Sequence, residues 1–257
     1  MNLAAKVRRD PNASSFPRPN STWYHFAMGL CLPEGYELPG GSFYSNFASV
    51  SSSNFGLCSI HQADDADYKG NTGDLNIDRG HVVPNGVMNQ NEDAAKATFT
   101  LTNVAPQHSN FNQQAWNQLE CMVRQFLVRE IPNKDAFVIT GKLVSRILGA
   151  TQISGTHDTK LVMNEDNDNK NNVRLPKYYW KAFCYTERGT SYSWAYIQLN
   201  NNDEKTSSGD LFMSVQDFSD QYYDGEPLFN DDCQNSGYGP WNVVIDSWSS
   251  YRNRWGC

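Results

Sequence analysis

The most regular pattern of apolar and polar positions follows Asn110 and runs to Glu130, where Ala115, Leu119, Met122, Val123, Phe126 and Leu127 recur at intervals of one helical turn. That spacing predicts a helix with one apolar face, capped by Asn110 or Ser109. Residues 2–7 predict a short strand, and Pro11, Pro17 and Pro19 keep the next stretch extended or turning. Ala136 to Gly141 is a compact apolar run closed by glycine and predicts a buried strand. Val173–Thr186 and Ser191–Leu199 predict two further strands joined at Glu187-Arg188-Gly189, and a second helix starts at Ser214 with Asp217 in its first turn. An acidic, aromatic tail follows. Residues 32–57 and 163–172 are rich in Gly, Ser and Asn or in Asn and Asp, which is loop chemistry. Strands and helices mix without regular alternation, so an α+β fold is favoured over a doubly wound sheet.

Composition adds that the chain builds a sizeable core: 39% of its residues are hydrophobic and 13% aromatic, which excludes disorder throughout. The net charge of −7 speaks at first against a polyanionic partner. However, residues 203–257 hold 10 acidic and 3 basic side chains, so residues 1–202 carry 18 of each and are neutral. A few cations gathered in one cleft do not need a basic surface around them. No run of 18 apolar residues predicts a membrane span. The six cysteines, at 31, 58, 121, 184, 233 and 257, include no C-x-x-C pair, which disfavours structural zinc. Scattered and even in number, they fit disulfides of open connectivity and an oxidising compartment. Two glycosylation sequons, Asn12-Ala13-Ser14 and Asn20-Ser21-Thr22, agree with secretion. The opening Met1-Asn2-Leu3-Ala4-Ala5-Lys6-Val7-Arg8-Arg9 has no apolar core of a signal peptide. The expectation is a secreted, extracellular protein whose leader is absent from this sequence.

Three short blocks carry the candidate chemistry. They are Ile77-Asp78-Arg79-Gly80-His81-Val82-Val83-Pro84, then Leu101-Thr102-Asn103-Val104-Ala105-Pro106-Gln107, then Asn112-Gln113-Gln114-Ala115-Trp116 leading to Glu120. Taken singly, His81 reads as a loop histidine and Asp78 with Arg79 as a surface ion pair. Together, in this order and spacing, the blocks resemble the DNA/RNA non-specific endonucleases of the ββα-metal (His-Me finger) class. Within it, they are most similar to the secreted animal group of endonuclease domain-containing 1-like proteins. The resemblance covers residues 1–233 and implies an endonuclease domain there, with a central, mostly antiparallel sheet, flanking helices and long loops. Residues 234–257 are then a C-terminal extension packed on the same domain.

The residue types suit phosphodiester hydrolysis on chemical grounds as well. The reaction needs a deprotonated water, neutralised charge at phosphorus and a proton for the departing oxygen. His81 supplies a base near neutral pH, Arg79 a fork of donors for phosphate, and Gly80 a tight backbone turn between them. On α-helical geometry Asn112 and Glu120 lie about 12 Å apart along the axis and are rotated by roughly 80°, so they can border one cleft. One amide oxygen from Asn112 plus waters makes a sensible shell for Mg²⁺, with Mn²⁺ or Ca²⁺ as alternatives, and Glu120 then holds a metal-bound water. Alternatively, Asn112 caps the helix and Glu120 is a solvated face residue.

The resemblance assigns further roles. It makes Asn112 the metal residue, four before Trp116 and eight before Glu120. It implies that Asn103 orients His81 or a phosphate oxygen, that Gln107 supports the metal water shell, and that Arg18 stabilises the transition state, with Arg8 and Arg9 as rivals. Trp116 reads as core and His108 as structural. The function implied is hydrolysis of DNA and/or RNA to 5′-phosphate and 3′-hydroxyl ends with little sequence preference. The alternative is a catalytically inactive, nuclease-like protein that binds nucleic acid.

Overall fold

The computed structural model describes residues 2–12, 15, 24–26, 44–46, 76–90, 92–100, 103–143, 162–163, 173–202 and 211–257. Arg18, Cys31, Cys58, the second sequon and nearly all of the two predicted long loops lie outside these residues. Strand β1 (Asn2–Arg8) extends the predicted run by one residue, and the short β2 (Tyr24–Phe26) and β3 (Tyr44–Asn46) pair with each other. Next come β4 (Ile77–His81), two short helices, α1 (Asn85–Met88) and α2 (Glu92–Ala97), and β5 (Val104–His108). The long helix follows as a π-helical turn over Phe111–Trp116 continued by α3 (Asn117–Arg129). The remaining strands are β6 (Asp135–Leu143), the paired β7 (Val162–Met163) and β8 (Val173–Arg174), β9 (Tyr178–Glu187), β10 (Thr190–Leu199) and β11 (Phe212–Met213). Helices α4 (Val215–Tyr222), α5 (Asp231–Gln234), α6 (Trp241–Asp246) and α7 (Trp248–Trp255) complete the chain.

The main sheet is antiparallel throughout, in the order β1-β6-β9-β10-β11. This is the expected α+β architecture. The β9–β10 hairpin turns at Arg188 (φ +50°) and Gly189 (φ +78°), and paired positive φ values match the right-handed twist of the strands they join. The helix predicted from Ser214 is α4, with Asp217 in its first turn and Ser214 as its cap, the hydroxyl accepting from the Asp217 N–H at 2.9 Å. β6 is buried at Ala136, Val138, Thr140 and Gly141 and passes through Gly141 to Leu143, with Phe137 exposed, so the glycine does not end it.

Side-chain alternation splits the sheet into two apolar faces. One carries Val138, Tyr179, Phe183, Trp194 and Tyr196 against Trp116, Leu119, Met122 and Phe126 of the long helix. The other packs Trp180, Ala182, Ala195 and Ile197 against Phe218 of α4. Trp116 is core, as expected, with its ring 5.5 Å from those of Phe111 and Tyr179. Residues 234–257 contribute α6 and α7, which push Trp241, Trp248 and Trp255 into the first core. Two disulfides, Cys121–Cys257 and Cys184–Cys233, tie α3 to the last residue and β9 to α5.

β4 and β5 form a separate antiparallel pair, which periodicity did not reveal. This pair is tied to the main sheet by polar bonds. Tyr179 Oη donates to the Pro106 carbonyl at 3.0 Å, and the His108 N–H donates to Asn200 Oδ1 at 2.9 Å. His108 thus sits at a structural junction.

Candidate active site

Strand β4 presents alternate residues to opposite sides, so Arg79 and His81 share one face and Asp78 and Gly80 the other. On the latter face, Gln107 of β5 lies opposite Asp78 and leans across Gly80. A Cβ at Gly80 would stand 1.8 Å from Gln107 Oε1, well inside contact distance. The glycine is therefore required by close approach within the hairpin, and the expected tight turn is absent: its φ is not positive. Gln107 is fully buried, and its amide has no hydrogen-bond partner among the described residues.

Past β4 the chain is pinned by Asn103. Its Nδ2 donates to the carbonyls of Val83 and Thr98, both at 2.8 Å, and its Oδ1 accepts from the Val83 N–H at 2.8 Å. The Val82 N–H donates to the Asn103 carbonyl. With the amide bonded to main chain and 4% exposed, Asn103 is not placed to hold a phosphate oxygen. Its bonds fix the backbone that follows His81. The His81 ring stands edge-on to Phe99, 4.9 Å between centroids.

A cavity of about 330 Å³ opens between this hairpin, α1 and the long helix. Arg79 and His81 line one side. Gln113, Asn117, Glu120 and Arg124, spaced four, three and four residues apart, line the other, together with Asn112. The polar face of the amphipathic helix thus looks into a cavity, and its apolar face packs on the sheet. Asn103 and Gln107 are not among the lining residues. Arg124 was not singled out from sequence, although its position one turn after Glu120 marks the same helix face. Gly86 in α1 makes room for it, since a Cβ there would lie 3.1 Å from Arg124 Nη1. Neither rival arginine lines the cavity, although Arg9 is anchored at its edge. Arg8 bonds Asp135 at 2.6 Å, and Arg9 is fixed to Gly86, Asn89 and Ser15.

No side chain caps the long helix. Asn110 already has α-helical backbone angles and donates to the Asn202 carbonyl, while Ser109 Oγ donates to Asp78 Oδ1 and to the Asn76 carbonyl. Phe111–Trp116 winds as π-helix, a form that often marks functional sites and that shifts the angular phase of Asn112 relative to Glu120.

Asp78 Oδ2 accepts from Asn112 Nδ2 at 2.8 Å and from Gln113 Nε2 at 2.9 Å. A carboxylate only accepts, so the bond fixes which end of the Asn112 amide faces Asp78. Its Oδ1 is left for a cation or water. Among the described residues no group of three or more His, Cys, Asp or Glu could hold a metal. The donors at this cavity, one oriented amide oxygen with the Glu120 carboxylate eight residues on, fit a hard, largely hydrated cation such as Mg²⁺.

Glu120 has a partner beneath the cavity. Lys181 of β9 is 1% exposed and places Nζ 3.9 Å from Glu120 Oε1 and 4.8 Å from the centre of the Trp116 ring. Burial pulls the lysine pKa down to about 8, against the opposing pull of the Glu120 charge. The sequence held a signal for this residue. In β9 the positions facing α3 read Tyr179, Lys181, Phe183, Tyr185, and a lysine within such an aromatic row is anomalous.

Comparison with known proteins places the chain among nucleases. Residues 45–238 match the family model described as DNA/RNA non-specific endonuclease. Human mitochondrial endonuclease G is 34% identical over 129 residues, 50% of this chain and 39% of the relative. The bovine protein is 32% identical over 157 residues, 61% of this chain and 46% of the relative. A nuclease of Serratia marcescens is 27% identical over 140 residues, 54% and 46% respectively. The matched region spans less than half the length of each of these three relatives. A chain in the crystal structure of the EndoG/EndoGI complex superposes with a TM-score of 0.50 at 18% identity, covering 81% of this chain and 79% of that one, which concerns the fold alone.

Proposed function

The chain belongs to the DNA/RNA non-specific endonuclease family, and from that premise we propose that it is a metal-dependent endonuclease cutting DNA and/or RNA to 5′-phosphate and 3′-hydroxyl ends. The observation that carries this is the meeting of His81, Arg79, Asn112 and Glu120 around one cavity, although they come from β4 and a helix separated by two further helices and a strand.

In this reading His81 takes the proton from a water attacking phosphorus. Arg79 and Arg124 neutralise phosphate oxygens, with Arg124 joining the clamp role given to Arg18 from sequence. Asn112, held by Asp78, offers its amide oxygen to Mg²⁺, Mn²⁺ or Ca²⁺. When bound, the cation supplies positive charge against the charge developing on the phosphate and departing oxygen. Glu120 orients water toward that oxygen so that it can be protonated. Gln107 supports the site from below β4 by filling the space over Gly80. Since the contacts are to backbone phosphate, little sequence preference and a steep loss of binding with salt are expected.

The same reading puts the protein in an oxidising, extracellular setting, supported by the two disulfides. Among the described residues no helix is long and apolar enough to cross a membrane. The test is nicking of supercoiled plasmid and cleavage of an RNA of matched length with Mg²⁺, with EDTA as control and end-group analysis of the products. Cleavage abolished by EDTA, leaving 5′-phosphates, supports the proposal. Intact substrates, or 3′-phosphate ends, refute it.

A further inference from the structure

A charged group has no ordinary place among the aromatic side chains of β9, yet Lys181 is fully buried there between the sheet and the long helix. Desolvating an ammonium is unfavourable unless a counter-charge lies close by. The only ion pair recorded for its Nζ among the described residues is with Glu120, and the Trp116 ring adds a cation–π contact. Glu120 faces both ways. Its Oε1 is buried 3.9 Å from Lys181 Nζ, a charge contact with no hydrogen bond between the two, while the residue lines the cavity with His81 and Asn112. The contact also bridges two rigid elements, a central strand and the helix that carries the site.

We propose that Lys181 is a positioning residue for phosphodiester hydrolysis, holding the Glu120 carboxylate fixed at the cavity wall from beneath, through a buried ion pair. This rests on the nuclease reading above for its chemical consequence, but the pairing itself is independent of that reading. A lysine used only to fill space would be replaceable by a long apolar side chain without effect on turnover. One that acts through Glu120 loses its effect once the carboxylate is gone.

A four-protein cycle of the full chain tests this: wild type, Lys181→Met, Glu120→Gln and the double variant, each measured for melting temperature and for kcat and KM on plasmid DNA with Mg²⁺. Breaking a buried pair from one side strands the other charge. The double variant should therefore melt higher than Glu120→Gln alone, by roughly 4 °C or more. In turnover, Lys181→Met should lose about 10- to 100-fold in kcat in the wild-type background, the scale of outer-shell effects, with KM changed less. It should lose less than about twofold in the Glu120→Gln background. Equal losses in both backgrounds, full activity of Lys181→Met, or no melting-temperature recovery in the double variant would overturn the proposal. A wild-type protein that does not cut, with the melting-temperature coupling intact, would instead remove the nuclease reading and leave the pair standing.

Discussion

The side-chain amide of Asn112 donates through Nδ2 to Asp78 Oδ2 at 2.8 Å, joining the strand that carries His81 to the π-helical turn opposite it. Asp78 is the partner that decides which end of this amide meets a cation. Asp78→Ala should leave the fold in place but free the Asn112 amide to rotate. The concentration of Mg²⁺ giving half-maximal cleavage should rise by about 10- to 100-fold, as expected for loss of an orienting partner. An unchanged metal requirement would mean that Asn112 is positioned by other contacts.

Gly80 and Gln107 make a second pair with a sharp consequence. Gly80→Ala forces a methyl into the space held by the Gln107 side chain and should lower stability by about 1–3 kcal/mol or more, read as a lower melting temperature. Adding Gln107→Ala should recover part of that loss by vacating the space. If the double variant is no more stable than Gly80→Ala alone, the clash is not the cause.

How much of this was legible in the sequence differs by kind of interaction. The long helix and α4 follow from periodicity because each buries one face, and β1, β6 and the β9–β10 hairpin from apolar runs and turn chemistry, β9 and β10 being buried on both faces. Periodicity gave no sign of the β4–β5 pair: it is short, mixed in polarity, and held by Tyr179 and Asn200 from distant strands. The resemblance marked its residues as a site without predicting the pair. The helices of residues 241–255 were missed because their tryptophans are spaced for tertiary burial within a polar tail. At the site, His81, Arg79, Asn112 and Glu120, singled out from sequence, line one cavity. Asn103, for which the resemblance implies orienting His81 or a phosphate oxygen, has its amide engaged in three bonds to main chain. Asp78, Arg124 and Lys181 needed the fold, since their roles lie in partners 34, 38 and 61 residues away or across the sheet from Asn112, Gly86 and Glu120.

Lys181 also predicts a pH dependence of stability. Its folded pKa, about 8, lies below the ordinary 10.5 because of burial. Below about pH 8 the lysine is protonated in both states and its burial opposes folding. Between about 8 and 10.5 the unfolded chain binds more protons than the folded one, so stability from this group rises with pH. Tyr185, pushed up to about 12 chiefly by burial, works in the opposite sense above about pH 10. Comparing wild type with Lys181→Met removes the tyrosine contribution. The wild type should gain melting temperature relative to the variant between pH 7.5 and 10, whereas a constant difference would contradict a buried, protonated lysine.

The account stands on His81 as the base that activates water. The most direct measurement is single-turnover cleavage of labelled DNA with saturating Mg²⁺ by wild type and His81→Ala, with DNA binding and melting temperature recorded alongside. A loss of roughly 10²- to 10⁴-fold in the cleavage rate is predicted, the range for a general base, with binding and melting temperature close to wild type. A variant that cleaves within about threefold of wild type would contradict it.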